Sequence, residues 1–98
     1  MLVKVNVPLT TLDGQTMKDN VDGQAVDATV RMAMVNSILA PIDKESGIDK
    51  VKKYELAKRI YANDEVDLNE DDIKLIKDAV GNNFAPIVVG QIYELLKV

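Results

Sequence analysis

Apolar and polar residues alternate from the start of the chain. Val3, Val5 and Val7 share one side of residues 2–7, with Lys4 and Asn6 on the other, the period-two pattern of a half-buried strand. Pro8 cannot donate to a ladder, so the strand is expected to lie at an edge or to bend there. Residues 9–12 lead into Asp13-Gly14, a dipeptide suited to the positive φ angles of a two-residue hairpin turn, and residues 15–18 are expected to return as the second arm. Residues 19–24 are polar and include Gly23, which reads as a loop.

The period then lengthens. Asp27 is the expected N-cap of a helix reaching about Leu39. Its apolar residues, Ala28, Val30, Met32, Ala33, Met34, Val35, Ile38 and Leu39, cover more than one stripe, which predicts a central helix touched on several sides. Pro41 ends it, because the residue before a proline avoids the helical region. After a charged connection a second helix is predicted from Ile48 or Asp49 to Ala62. Val51, Tyr54, Ala57, Ile60 and Tyr61 fall at three- and four-residue spacing in it, and Glu55 is placed to pair with Arg59.

Leu68-Asn69-Glu70-Asp71-Asp72-Ile73 is a local helix start. Asn69 suits the N-cap, Asp72 can reach back as a short capping-box partner, and Leu68 and Ile73 occupy the staple positions. Glu70, Asp71 and Asp72 meet the positive end of the helix dipole. Ile73, Ile76 and Val80 point inward with Leu75 at the border, and Gly81 is the expected left-handed stop. Pro86 opens a last helix running to Leu96. Gly90 inside it costs about 1 kcal/mol against alanine, which predicts close approach of another helix backbone. The pattern sums to an α+β fold in one domain: a short N-terminal strand and β-hairpin over residues 1–24, then a bundle of about four helices over residues 25–98.

Composition narrows what such a domain does. With 98 residues, 47% hydrophobic but 4% aromatic, the core must be aliphatic. The chain has no histidine, cysteine or tryptophan, so the usual neutral-pH proton shuttle, the thiolate nucleophile and the commonest transition-metal ligands are missing. Without disulfides, stability must come from packing or from a partner subunit. A formal charge of −4 argues against sequence-independent DNA binding and against an anionic membrane as partner. The chain has no apolar run of membrane-spanning length, its first residues alternate at once unlike a signal peptide, and the absence of cysteine fits a reducing compartment. A soluble protein of the bacterial cytoplasm is expected, without cofactor.

Few constellations carry chemistry. Asp64, Glu65, Asp67, Glu70, Asp71 and Asp72 form an acidic patch that suits either a solvated helix start or a surface imitating phosphates at a basic site of a partner. Asp67, Asn69 and Asp71 match the first three ligand positions of an EF-hand, but Asp72 stands where glycine is required and Asp78 where a bidentate glutamate is, so no metal site is predicted. Lys50, Lys52, Lys53, Lys58 and Arg59 lack interleaved stacking aromatics and read as a solvated helix face, or as a match for the acidic patch of another subunit. Met32 and Met34 suit core filling better than an adaptable groove. Ser37 and Ser46 have no base at motif spacing, and Gly14, Gly23 and Gly47 form no phosphate loop. The apolar last helix is the expected oligomer face, through Ile87, Val88, Gly90, Ile92, Tyr93 and Leu96.

Several stretches share their wording with one group of proteins. Val66-Asp67-Leu68, residues 72–77, Val80-Gly81, residues 86–91, Tyr93-Glu94-Leu95-Leu96, Leu12-Asp13-Gly14 and residues 52–57 resemble short proteins of bacteriophage and prophage genomes, in which a hairpin-like start precedes the helices. That group is largely without assigned activity, so the resemblance implies a phage or prophage origin and transfers no catalytic residue. The expected function is a non-enzymatic accessory protein that binds and modulates a host or phage protein through the acidic surface. The alternatives are a virion or tail-assembly component acting by self-association and, far behind, a small metal-dependent nuclease.

Overall fold

A computed structural model describes residues 1–98, and its α+β architecture agrees with the sequence pattern. The opening alternation folds into β1 (Leu2–Lys4), but its partner comes from far along the chain. It pairs antiparallel with β4 (Glu65–Asp67), with Val3 opposite Val66 and both side chains buried. Beyond the strands, the Val5 amide donates to the Asp64 carbonyl at 2.9 Å and the Leu68 amide to the Met1 carbonyl at 2.7 Å. A three-residue strand such as β4 is too short to show periodicity, so no strand was expected there.

The turn at Asp13-Gly14 is present with a different loop. The Gly14 amide donates to the Thr11 carbonyl at 3.0 Å, the Thr11 amide donates to the Gln15 carbonyl at 2.7 Å, and only Gly14 has positive φ, at +87°. That is a three-residue loop closed by a left-handed glycine, not the expected two-residue turn. Its arms share one bridge, Thr10 to Thr16. The two-residue turn lies instead in the stretch expected to be loop. Asp22 and Gly23 have φ of 52° and 80° and join β2 (Lys18–Val21) to β3 (Gln24–Asp27) in a regular antiparallel hairpin.

Asp27 therefore ends a strand, paired with Lys18 opposite it, and does not cap the helix. Thr29 is the N-cap of α1 (Val30–Leu39), its hydroxyl accepting from the Met32 amide at 3.2 Å. The free amides of Val30 and Arg31 donate to the carbonyls of Val7 and Val5 at 2.9 and 2.8 Å, so the N-terminal segment seals the helix start. Ala40 turns extended before Pro41, as the proline rule requires.

α2 (Gly47–Ala62) starts at Ser46, and α3 (Glu70–Asn83) starts on the predicted capping box, with Asn69 and Asp72 bonded reciprocally. Gly81 does not stop α3; the helix runs on to Asn83 and closes at Phe84. A Cβ on Gly81 would sit 2.7 Å from the Tyr93 hydroxyl, which donates to the Lys77 carbonyl at 2.7 Å. The helix-backbone approach expected at Gly90 of α4 (Pro86–Leu96) is absent, since Gly90 is exposed with open space beside it; the crowded glycine is Gly81, and what crowds it is a side chain.

α1 packs against α2 and α3, and α3 against α4. Between them lies one aliphatic core of 18 buried residues, with Met34, Ile38, Ile60, Leu68, Ile76 and Ile92 among the most enclosed. Gln91 ties α4 to the N-terminal segment. Its Oε1 accepts from the Thr10 amide and its Nε2 donates to the Thr10 carbonyl, both at 2.8 Å, reproducing a backbone bridge with a side chain. No helix is long and apolar enough to cross a membrane.

Candidate docking face

The six acidic residues do not form one free patch. Asp64 pairs with Arg31 at 2.6 Å, Asp67 with the terminal amine at 3.0 Å, and Asp72 with Arg59 at 2.9 Å while also holding the α3 cap. Glu65 stands opposite Lys4 in the β1–β4 register, and Glu70 and Asp71 are exposed in the first turn of α3; these three form no ion pair. Asp67 at a strand end, Asn69 at a cap and Asp71 in a helical turn are not a cation loop, Asp78 lies on α3, and no group of three or more carboxylates converges to hold a metal.

The basic residues of α2 are also partly engaged. Lys53 pairs with Glu45, Lys58 with Glu55 at 3.5 Å, and Arg59 with Asp72 across to α3 rather than with Glu55 as expected. Lys50 and Lys52 stay solvated without an ion-pair partner. Ser37 is buried and donates to the Met34 carbonyl at 3.0 Å, and Ser46 caps α2, so both hydroxyls have structural roles. Of the methionines, Met34 fills the core and Met32 is half-buried.

On α4, Val88, Ile92 and Leu96 are buried within the protomer, Ile87 and Tyr93 are half-buried, and Gly90 is exposed. The protomer's own core takes up the helix side that carries three of these six residues.

The exposed apolar surface lies elsewhere. Leu56, Ala57 and Ile60 face inward from α2, whereas Ile48, Val51, Tyr54 and Tyr61 face solvent and, with Leu39 at the end of α1, are each between 52% and 73% exposed. The three- and four-residue spacing groups Val51, Tyr54 and Tyr61 with Ala57 and Ile60, but only the last two are buried. The correction is geometric: a 16-residue helix with two apolar stripes can bury only one against a single layer. Leu56, adjacent to Ala57 and four residues before Ile60, marks the inner side.

Between α1 and α2 a shallow groove of about 440 Å³ is lined by Val35, Leu39, Tyr54, Ala57, Lys58, Tyr61 and Ala62. Lys58 is its one charged residue; its Nζ lies 4.8 Å from the Tyr54 ring centre, within cation–π range. The α1 side contributes no charge either, because Arg31 is the only charged residue of that helix and turns to Asp64 and to the carbonyls of Ile60 and Asn63. Apolar walls, two exposed tyrosines and a single cation suit contact with another protein. They supply no nucleophile–base pair, and every buried side-chain polar atom already has a hydrogen-bond partner.

No protein-family model matches the chain, and neither a curated protein nor a solved structure is significantly similar to it.

Proposed function

We propose that this protein is a non-enzymatic accessory factor of phage or prophage type that works in the bacterial cytoplasm by docking a protein on the outer face of α1 and α2. The observation that carries the reading is the groove around Leu39, Tyr54 and Tyr61, apolar except for Lys58, on a chain that is 29% charged. The acidic end contributes Glu65, Glu70 and Asp71 as a secondary, salt-sensitive contact, since the other three carboxylates have partners within the fold. A second reading, a self-assembling virion or tail component, draws on the β2–β3 hairpin, seven of whose eight residues are exposed.

Affinity capture from bacterial lysate at low and high salt tests the proposal. A captured protein that persists in high salt, is lost with Tyr61→Asp and is only weakened by the pair Glu70→Lys and Asp71→Lys is the expected outcome. Capture indifferent to Tyr61→Asp and Leu39→Asp would remove the α1–α2 face from consideration. Asp72 is unsuited to such a test because its carboxylate holds the α3 cap.

A further inference from the structure

We infer that the Asp22-Gly23 turn of the β2–β3 hairpin is a covalent modification site. Its backbone rearranges to isoaspartate and becomes a substrate for an isoaspartyl carboxyl methyltransferase, whereas the fold protects Asp13-Gly14 from the same change. The inference is independent of what docks on the α1–α2 face.

The chain carries its own control. Asp-Gly-Gln occurs twice, at residues 13–15 after Leu12 and at residues 22–24 after Val21. Local sequence therefore gives the two aspartates nearly the same intrinsic reactivity, and the fold sets them apart. In the rearrangement the glycine amide nitrogen attacks the aspartate Cγ. An N–Cγ bond forms, the amide proton and the carboxyl hydroxyl leave as water, and a succinimide ring results. Water then adds to the former main-chain carbonyl carbon of the aspartate and breaks its bond to that nitrogen. The main chain now runs through Cβ and Cγ and is one methylene longer. The α-carboxylate it frees takes a methyl group from S-adenosylmethionine, giving the methyl ester and S-adenosylhomocysteine.

The first step needs a free amide, a carboxyl that can be protonated and moved, and a backbone able to leave its turn. Residues 13 and 14 meet none of these. The Gly14 amide donates to the Thr11 carbonyl at 3.0 Å, and the Thr11 amide closes the loop on the Gln15 carbonyl at 2.7 Å. The Thr11 hydroxyl donates to the Asp13 carboxylate and favours its ionised form, which cannot lose an oxygen as water. Thr10 beside this loop is gripped on both backbone atoms by Gln91.

Residues 22 and 23 meet all three. The Gly23 amide donates to no acceptor, and the Asp22 carboxylate has neither a hydrogen-bond nor an ion-pair partner. Both residues are exposed, and no side chain approaches Gly23. Only Val26 of the hairpin is even half-buried, so the turn opens without disturbing the core. The extra methylene of the product removes the two-residue turn that sets Val21 opposite Gln24, and the β2–β3 register is lost with it.

The test is to keep the full chain for several weeks in neutral buffer, native and in parallel in urea. Electron-transfer fragmentation of its peptides then locates isoaspartate, and labelled S-adenosylmethionine with the methyltransferase probes the undigested aged chain. In the native chain isoaspartate is expected to accumulate at residue 22 at least about 10-fold faster than at residue 13, the factor that a hydrogen bond to a charged group carries. In urea the two residues are expected to react at similar rates. Thr11→Val should speed the native reaction at Asp13 and leave Asp22 unchanged. Gly23→Ala should slow Asp22 although it weakens the hairpin, because its methyl group crowds the attacking nitrogen. Equal native rates, a faster reaction at Asp13, or a preference for Asp22 that persists in urea would overturn the inference. Isoaspartate at residue 22 that takes no label in the undigested chain would overturn its assignment as a methyltransferase substrate.

Discussion

Asn69 and Asp72 are three residues apart, so their reciprocal bonds follow from cap stereochemistry alone. Arg59 shows the opposite case. Its i,i+4 neighbour Glu55 is available, but Asp72, 13 residues away, is prepositioned by the cap and takes the guanidinium. Local spacing cannot rank a distant rival that tertiary packing fixes in place. Asp13 provides a residue-scale test. The Thr11 hydroxyl donates to its carboxylate, with smaller help from the backbone amides of the turn, and holds its pKa below the usual carboxylate range. The folded value is thus lower than the unfolded one, so the contribution to stability is complete above the unfolded value and disappears as pH falls through the folded one. In a side-chain carboxyl NMR titration Asp13 should show a depressed midpoint, and Thr11→Val should move it back toward that of a free aspartate.

At the scale of elements, the four helices and the first strand were legible because each has a periodic stripe or a terminal signal. The misplacements came from competition among equivalent signals. Asp-Gly occurs at residues 13–14 and 22–23, and the tight two-residue turn formed at the second, where both residues have positive φ. Asp27 and Thr29 are both acceptable caps, and the β3 ladder claimed Asp27. The β2–β3 hairpin is the element with least tertiary support, because only Val26 among its residues is even half-buried. It should therefore open without the rest of the molecule unfolding. Hydrogen exchange is expected to show its cross-strand amides far less protected than those of α3. Gly23→Ala, which forces a side chain into positive φ, should cost the hairpin about 1 kcal/mol while leaving α3 protection unchanged. Loss of α3 protection in that variant would show that the hairpin belongs to the cooperative core.

For the whole molecule, the aliphatic core was foreseeable from composition, and the face left outside it was not. Sequence periodicity shows that α2 has apolar residues to bury; only the placement of α1 and β4 decides which stripe wins. The N-terminal segment is the other long-range feature. It is held by Asp64, Leu68, Ala28 and Gln91, none of which periodicity near residues 1–10 could indicate. Gln91→Ala removes both side-chain bonds to the Thr10 backbone and leaves partly buried polar groups unpaired, which should destabilise the fold by about 1–3 kcal/mol. Urea denaturation with a lowered midpoint and an unchanged slope is the expected record.

The order in which these partners emerge from a ribosome matters. Thr10 and the Gln91 side chain that grips it are 81 residues apart, which at cellular synthesis rates of about 5–20 residues per second separates them by roughly 4–16 s. The hydrogen-bonding edge of the first strand stays open until β4 is made, and the core over its valines stays incomplete until the last helix follows, so the nascent chain is a client for whatever shields apolar segments in the cell.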